Sequence, residues 1–406
     1  MISTRRSVLK AGLAGLVVAQ GSVAYASTSQ NTGQNTGHNT SQNQTFDQWL
    51  AAFEAGMPAR LAAAHVAGVE VAIVSKNAPT PYAGAFGYAD IAANRKLTPT
   101  TPMHLASVSK LFTASALVRL FELCGLDLHG DVNSFIDFPV RNPAYPDVPI
   151  TPHQLVTHTS SISDDNYVGF DTVGDPTQSL SDFLRDYLVP GGKHYSPKKS
   201  YFPKHKPATY FSYSDVGMAL AGYVVECVGG QDFAAYTEAN VLQPLGITGA
   251  HWYLRQFAPG VLAVPYEFKN GALAALPQMS YPDVPSGALR CSVTDLATSL
   301  RAMIGGAAGT PPILSAADVA EMLRPQVSTK IVPYQGLGWV QEVVSGQPYV
   351  GHSGSDIGFA NMVVLTKDQN HAVAVLINTD EGDGSAVTNF RASVTTDLVH
   401  GAQLLG

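Results

Sequence analysis

Residues 104–118 read His-Leu-Ala-Ser-Val-Ser-Lys-Leu-Phe-Thr-Ala-Ser-Ala-Leu-Val and hold a serine and a lysine three positions apart before an uncharged run. We expect a helix over 107–124, ended by Gly125, and a helix that is apolar on all sides belongs in the interior. Residues i and i+3 share a helix face, so the Lys110 ammonium can approach the Ser107 hydroxyl. The positive end of the helix dipole would favour an alkoxide at Ser107. Ser107 is therefore a candidate nucleophile; a helix N-cap beside a solvated lysine is the alternative.

Context, rather than spacing, singles out this serine. The same spacing occurs at Ser7-Val8-Leu9-Lys10 and at Ser196-Pro197-Lys198-Lys199. The first lies in a predicted signal peptide and the second in a lysine-rich loop. Only Ser107 opens an apolar helix, which would hold the pair rigidly.

Two later segments add partners for Ser107. Tyr213-Ser214-Asp215 precedes an apolar run, and Gly351-His352-Ser353-Gly354-Ser355 is predicted to open a C-terminal hairpin whose strand edge could line a cleft. Together with Ser107 they resemble the three motifs of the serine β-lactamase and penicillin-binding-protein family. The resemblance is closest to the class C β-lactamases and to the related D-alanyl-D-alanine carboxypeptidases, aminopeptidases and esterases. Further segments resemble family landmarks in family order: Leu126-Asp127-Leu128, Ile150-Thr151, Leu155-Val156-Thr157-His158-Thr159-Ser160, Pro244-Leu245-Gly246-Ile247, Ser286-Gly287-Ala288-Leu289 and Gly336-Leu337-Gly338-Trp339.

The resemblance implies catalysis through an acyl-enzyme. Ser107 would attack a carbonyl carbon, and the backbone N–H groups of Ser107 and Ser355 would form an oxyanion hole, worth about 3 kcal/mol per donor. Lys110 and Tyr213 are the candidates for the base, and the sequence leaves that choice open. Tyr213 would also protonate the leaving group and activate the deacylating water. His352 would replace the lysine of the family's Lys-Thr-Gly motif, and would orient Tyr213 or contact the substrate.

Asp215, Ser353 and Gly354 are the implied substrate-binding positions, and Asp215 departs from the family, which usually has asparagine there. An asparagine amide donates to a substrate carbonyl, whereas an ionised aspartate does not. A carboxylate near Lys110 would also hold the lysine charged and make it a worse base. This disfavours penicillin hydrolysis and favours ester or peptide hydrolysis. Ser161 stands where glycine is usual, and we expect a structural role for it.

These observations predict an exported serine hydrolase, of carboxylesterase, peptidase or β-lactamase type. Its substrates would be small esters, peptides (of D-amino acids or others) or β-lactams. A catalytically silent binding protein on the same fold is the alternative, with Asp215 as the disabling change. No cofactor and no metal are predicted, because dinucleotide, phosphate-binding and zinc-hydrolase motifs are missing from the sequence. The expected partner is a small-molecule or short-peptide substrate, and the oligomeric state is left open.

Strand and helix patterns predict an α+β fold. Residues 69–74 with 82–88, and 359–365 with 372–377, are predicted hairpins near the two ends of the globular part. An amphipathic segment over 385–398 follows. We therefore expect a mainly antiparallel sheet flanked by helices, of the β-lactamase/DD-peptidase-like kind. A second, mostly helical lobe would complete it, with the active site between the two.

The predicted hydrolase domain spans 46–406. Its α/β lobe would comprise about 46–106 and 286–406, and its helical lobe about 107–285. Residues 27–45 are almost wholly Ser, Thr, Gln, Asn and Gly, which predicts a disordered linker.

Residues 1–26 are a predicted twin-arginine signal peptide. Arg5 and Arg6 precede an apolar stretch, and Ala24-Tyr25-Ala26 offers a cleavage site. A buried amphipathic helix with a chance arginine pair is the alternative. Export would make the mature protein periplasmic or secreted. No stable membrane span is expected after removal of the signal, because its apolar core is too short.

Composition excludes several classes of protein. With 45% hydrophobic and 14% charged residues among 406, the chain is too apolar for a disordered protein and long enough for two packed lobes. A net charge of −7 without a long basic block argues against nucleic acid as a partner. The three cysteines, Cys124, Cys227 and Cys291, lie far apart, and their odd number leaves room for at most one disulfide.

One local charge cluster stands out in this acidic chain. Residues 193–206 carry five lysines and two histidines just before Tyr213. Two interpretations remain open, a rim that attracts an anionic substrate such as a peptide carboxylate, and a solvated insertion.

Overall fold

The computed structural model describes residues 44–78, 81–305, 313–382 and 384–405. The predicted signal peptide and residues 27–43 of the predicted linker lie outside the described residues. The helices described are α1 (Phe46–Ala64), α2 (Lys110–Cys124), α3 (Pro152–Val156), α4 (Leu180–Leu188), α5 (Asp215–Gly229), α6 (Phe233–Thr237), α7 (Val293–Met303), α8 (Ala316–Leu323) and α9 (Ala386–Gln403). The strands described are β1 (Gly68–Ser75), β2 (Tyr82–Asp90), β3 (Arg95–Lys96), β4 (Met103–His104), β5 (Thr172–Val173), β6 (Tyr266–Lys269), β7 (Ala272–Ala275), β8 (Met279–Ser280), β9 (Arg290–Cys291), β10 (Val340–Val344), β11 (Gln347–Asp356), β12 (Phe359–Leu365) and β13 (His371–Ile377).

The largest sheet is antiparallel, in the order β10-β11-β12-β13-β1-β2-β3. The neighbouring strands β1 and β13 are buried along their whole length and place Val69 opposite Ile377. Their β-branched and apolar residues suit central strands, where both faces are covered. All four strands predicted near the chain ends lie in this sheet. The predicted α+β fold with a mainly antiparallel sheet is confirmed.

Helices cover both faces of the sheet. On one face α1 and α9 pack against each other and against the central strands, in a core that includes Trp49, Val375 and Phe390. The amphipathic segment predicted over 385–398 is part of α9. On the other face a second core joins the sheet to α2, α5 and α7, with Leu117 and Leu220 at its centre.

The folded part begins with a capped helix. The Thr45 hydroxyl accepts a hydrogen bond from the backbone N–H of Gln48, and the Gln48 side chain accepts one from the N–H of Thr45. Such a reciprocal cap satisfies two donors that a helix start leaves unpaired. Thr45, the last residue of the predicted linker, thus belongs to the structured chain.

The described residues contain no helix that is both long enough and apolar enough to cross a membrane. All three cysteines lie in the described part of the chain, and none of them forms a disulfide. Cys124 is exposed and Cys291 is buried.

Candidate active site

Ser107 lies in a 3₁₀ turn, Ala106–Ser109, that leads directly into α2. The prediction of one continuous helix from Ser107 is therefore wrong at its first turn. In a 3₁₀ turn the side chains at i and i+3 eclipse each other, which brings serine and lysine together even more directly than an α-helix would. Lys110 Nζ lies 3.0 Å from Ser107 Oγ. Ala106, just before the serine, has φ +49°, a strained conformation of the kind that clusters at functional sites.

Three acceptors surround the buried ammonium of Lys110. Its Nζ donates to Ser107 Oγ at 3.0 Å and to the Ser286 carbonyl oxygen at 2.6 Å, and pairs with Asp215 Oδ1 at 2.8 Å. Lys110 is 1% exposed and Asp215 is 6% exposed. A buried charge needs such pairing, and three acceptors match the three hydrogens of an ammonium group. The predicted approach of Lys110 to Ser107, and of Asp215 to Lys110, is present in the structure.

Asp215 is held at the start of α5 by a second carboxylate. Asp164 accepts hydrogen bonds from the Ser214 hydroxyl and from the backbone N–H of Asp215, both at 2.7 Å. The Asp215 side chain lies at the positive end of the helix dipole, which stabilises its ionised form. Asp164 carries no sequence signal for this role, because no local pattern links residues 51 positions apart.

Tyr213 lies between groups that hold its ring in place. Lys110 Nζ is 4.9 Å from the centroid of the ring. The imidazole of His158 stacks on the ring with centroids 4.4 Å apart, and the His352 imidazole lies at a centroid distance of 6.0 Å. The structure thus brings Tyr213 and His352 together with Lys110, as the sequence predicted.

His158 is a site residue to which the sequence analysis gave no role. Its Nδ1 accepts a hydrogen bond from the backbone N–H of Ser214 at 3.2 Å, so the ring proton lies on Nε2. Burial, with the charge of Lys110 as a second cause, lowers the pKa of His158 to about 3. His158 is therefore a neutral stacking surface for Tyr213 at physiological pH.

His352 is likewise neutral and has a defined tautomer. Its Nδ1–H donates to the carbonyl oxygen of Ser353 at 2.6 Å, which leaves the lone pair on Nε2. Burial and then the charge of Lys110 lower the pKa of His352 to about 3. Among the described residues its Nε2 has no hydrogen-bond partner. His352 can therefore accept a hydrogen bond from a hydroxyl or from a substrate N–H.

Strand β11 supplies the opposite wall of the site. Residues 351–355 form the last part of this ten-residue strand and pair with β12 as the first arm of a hairpin, as predicted. Gly354 lies against the turn that carries the serine: a Cβ there would be 2.3 Å from the Leu105 carbonyl oxygen and 3.2 Å from the Ser107 nitrogen. Only glycine allows this close approach.

Side chains alternate along β11, so His352 and Gly354 face the serine turn while Ser353 and Ser355 face α9. Ser355 Oγ donates to Glu381 at 2.8 Å and accepts from Arg391 at 3.2 Å. The side chain of Ser353 is thus placed away from the predicted substrate site. Its backbone N–H donates to Glu342 at 2.5 Å.

The predicted oxyanion donors, the backbone N–H groups of Ser107 and Ser355, lie on two chain segments that approach each other closely. Backbone N–H groups alternate along a strand, so that of Ser355 points to the same side as that of Ser353, away from β12. Beyond Gly351 the pairing of β10 with β11 has ended, which uncovers this side of the strand. Gly354 approaches the Ser107 nitrogen closely, so the second donor lies near the same strand, and the oxyanion hole itself stays a prediction.

A family profile named Beta-lactamase matches residues 46–396. The chain belongs to the beta-lactamase family. The resemblance drawn from the sequence motifs is thereby confirmed, and the family's members are serine hydrolases that act by acyl transfer. Protein flp of Staphylococcus aureus (strain MRSA252) is 26% identical over 318 residues, covering 77% of this chain and 60% of that protein. The chain thus spans about 60% of the length of this curated relative.

Two solved structures have a fold similar to that of this beta-lactamase-family chain. The octameric penicillin-binding protein homologue from Pyrococcus abyssi superposes with a TM-score of 0.69 at 25% identity, covering 86% of this chain and 77% of that one. The D-amino acid amidase from Ochrobactrum anthropi SV3, complexed with L-phenylalanine amide, gives a TM-score of 0.69 at 17% identity, covering 89% and 98%. At 17% identity, the similarity to the amidase shows only that the two chains share a fold.

Within the described residues, no cluster of three or more His, Cys, Asp or Glu side chains is arranged to hold a metal ion. A cavity of about 410 Å³ lies elsewhere, against His129 and His153, and its lining includes none of the residues predicted for the active site. The prediction that no metal is used stays a prediction.

Proposed function

We propose that the protein is a serine acyl hydrolase that acts through Ser107 on small esters and small amides, in preference to β-lactams. The observation that carries the proposal is the buried pair of Ser107 and Lys110, with Nζ 3.0 Å from Oγ, facing Gly354 of strand β11. A structural N-cap beside a solvated lysine would not bury the ammonium to 1% exposure.

In the proposed reaction Ser107 Oγ loses its proton to a base and bonds to the substrate carbonyl carbon. The backbone N–H groups of Ser107 and Ser355 stabilise the oxyanion. The bond to the leaving group then breaks as that group takes up a proton, leaving an acyl-enzyme. Water cleaves the acyl bond, releases the acid and restores the serine.

We assign the role of base to Tyr213 rather than Lys110. The Asp215 carboxylate lies 2.8 Å from Lys110 Nζ and favours the ammonium form, which has no lone pair for a proton. The ammonium instead stabilises negative charge on Tyr213, whose ring lies 4.9 Å away. Tyr213→Phe should then lower kcat about 100- to 10,000-fold, the range for losing a general base. If Tyr213→Phe lowers kcat less than Lys110→Met does, Lys110 rather than Tyr213 is the general base.

The substrate preference rests on Asp215. Its carboxylate is committed to Lys110 and has no N–H to offer a substrate carbonyl, which removes a donor that an asparagine would supply. The fold is also that of a D-amino acid amidase, and this supports small amides as substrates beside esters. Comparing turnover of p-nitrophenyl butyrate and nitrocefin tests the preference. We expect ester turnover to exceed nitrocefin turnover, and the reverse ranking would contradict it.

A catalytically silent binding protein on the same fold is the competing function. Intact-mass analysis after reaction with a fluorophosphonate separates the two, since we expect one added group on the wild-type chain and none on Ser107→Ala. Ser109→Ala is the matched control, because the Ser109 hydroxyl accepts from the backbone N–H of Leu289 and has a structural role. An unlabelled wild-type chain would favour the binding protein.

We also propose export of the protein by the twin-arginine route, on the strength of Arg5, Arg6 and the following apolar segment. Changing both arginines to lysine should retain the protein in the cytoplasm of an expressing bacterium. Unchanged export of the double variant would refute this route.

A further inference from the structure

A basic loop, residues 193–206, lies beside the candidate active site. It holds five lysines and no acidic residue, in a chain whose net charge is −7. All five lysine side chains are exposed: Lys193, Lys198, Lys199, Lys204 and Lys206. Five positive charges within 14 residues are unusual in a protein whose net charge is negative.

The basic loop is fixed to the chain segment that carries His158. The backbone N–H of Phe202 donates to the Ser161 carbonyl oxygen at 2.9 Å, and that of Ala208 donates to the Thr159 carbonyl oxygen at 2.8 Å. Lys204 and Lys206 lie on the short arch between these two anchors. A few residues later the N–H of Ser212 donates to the carbonyl oxygen of His158 at 2.9 Å. The arch is thus anchored on both sides next to Tyr213.

Buried contacts also hold the base of the loop. Tyr201 is fully buried, and its hydroxyl donates to the Leu188 carbonyl oxygen at 3.0 Å. Ser200 is fully buried as well. A solvated insertion without a role would not need such anchoring, so the loop presents its charges from a fixed platform.

The lysines of the basic loop have no salt-bridge partner in the part of the chain that the structure describes. Among the ion pairs of the described residues, none involves a lysine of the basic loop. Asp164 and Asp186 lie near the loop and accept hydrogen bonds from neutral donors, so each keeps its negative charge, but neither forms an ion pair with a lysine of the loop. The five lysines outnumber these carboxylates, so the loop places net positive charge beside the chain segment of His158 and Tyr213.

We propose that the basic loop recruits substrates that carry a negative charge, and that the natural substrate is an anionic ester or amide with a free carboxylate. This inference rests on the proposed function. Charges on a rim act mainly by raising the local concentration of an oppositely charged ligand, and their effect weakens as salt screens them. They should therefore change kcat/KM for an anionic substrate and not for a neutral one.

A matched pair of esters tests the proposal: the mono-4-nitrophenyl ester of adipic acid, which keeps a carboxylate, and 4-nitrophenyl hexanoate, which has the same chain length and no charge. The variant to test combines Lys198→Gln, Lys204→Gln and Lys206→Gln. We expect its kcat/KM for the adipate ester to fall about eightfold at low ionic strength, the effect of three unit charges acting over an assumed distance of about 10 Å in water. Turnover of hexanoate should stay unchanged, and about 0.5 M salt should abolish the difference.

The control variant removes three exposed lysines elsewhere: Lys76→Gln, Lys269→Gln and Lys367→Gln. It changes the net charge equally and should leave both esters unaffected. An unchanged adipate-to-hexanoate ratio in the loop variant, or equal losses on both esters, would overturn the inference while leaving the hydrolase intact. Failure of the wild-type chain to turn over either ester would overturn the proposed function and this inference together.

Discussion

Residue 215 pairs with Lys110 and, in the proposed function, determines which hydrogen-bond donor faces a substrate. Asp215→Asn would break the ion pair with Lys110 and add an amide N–H at the same place. One new hydrogen bond to a lactam or amide carbonyl should raise kcat/KM for nitrocefin relative to p-nitrophenyl butyrate about tenfold. Steady-state kinetics on both substrates measure the ratio.

Asp215→Ala is the control for that change, because it removes the same carboxylate without adding a donor. If the alanine variant raises the ratio as much as the asparagine variant, the cause is the charge of Lys110 rather than a hydrogen bond to the substrate. If neither variant changes the ratio, residue 215 does not set the preference between esters and lactams.

The two buried imidazoles couple stability to pH. Burial and the charge of Lys110 lower the pKa of His158 and of His352 to about 3, whereas an unfolded histidine has a pKa of about 6.5. Between these values the unfolded chain binds protons that the folded chain does not. The free energy of unfolding should therefore fall as pH drops from about 6.5 toward about 3, by up to about 1.4 kcal/mol per pH unit for each histidine.

Guanidinium unfolding at pH 7, 6 and 5 measures this dependence. His352→Gln should make the slope of stability against pH shallower, by up to about 1.4 kcal/mol per unit. His400→Gln changes an exposed histidine in the last turn of α9 and should leave the slope as it is. Equal slopes in the wild type and in His352→Gln would show that His352 is not held neutral by the fold.

How far single residues could be predicted depended on the sequence distance of their contacts. Ser107 and Lys110 are three positions apart, so a local pattern was enough to pair them. Tyr213 and His352 join them only through the fold, and the family resemblance supplied what periodicity could not. The carbonyl of Ser286 has no sequence signal, because every residue has a carbonyl. Asp164 looked like any loop aspartate.

At the scale of elements, the approach of β11 to the serine turn decides the geometry of the site. Gly354→Ala would place a Cβ 2.3 Å from the Leu105 carbonyl oxygen, so the strand or the turn must move. A displacement of about 1 Å in a catalytic site can cost 100-fold in rate, and we expect a loss of that order in ester turnover. Circular dichroism would check that the variant is folded.

Ser353→Ala provides the comparison, since its side chain lies on the opposite face of the same strand. Turnover by this variant should stay within about twofold of wild type, as for surface substitutions away from the site. Full activity in Gly354→Ala would mean that the close contact of strand and turn is not needed for catalysis.

Elements were predictable where their local pattern agreed with their surroundings. The strands at 69–74, 359–365 and 372–377 were found nearly at their bounds, because apolar and β-branched runs favour strands in any context. Helix α1 was not predicted, since Gly56 and Pro58 interrupt it and disfavour a helix locally. Packing of its buried side chains against α9 stabilises it regardless.

At the scale of the whole molecule, the large sheet separates two hydrophobic cores, and only one of them supports the candidate active site. The core on the α2 and α5 side supports the 3₁₀ turn of Ser107 and the start of α5, so changes there reach the site. The core on the α1 and α9 side joins the two ends of the described chain. Arg391 of α9 connects the two through Ser355. Away from Arg391, changes between α1 and α9 should affect stability without affecting catalysis.

The contact of Gly401 with Trp49 tests this separation. A Cβ at Gly401 would lie 2.4 Å from the Trp49 ring, so Gly401→Val forces α1 and α9 apart. Overpacking of this kind costs about 1–3 kcal/mol of unfolding free energy, and exposure of Trp49 should shift its fluorescence to longer wavelength. Ester turnover per folded molecule should remain unchanged. Gly56 lies in α1, the helix of Trp49, and an added Cβ there would meet no atom within 4 Å, so Gly56→Ala should instead be neutral or stabilising. A loss of turnover in folded Gly401→Val would mean that the two cores are coupled across the sheet.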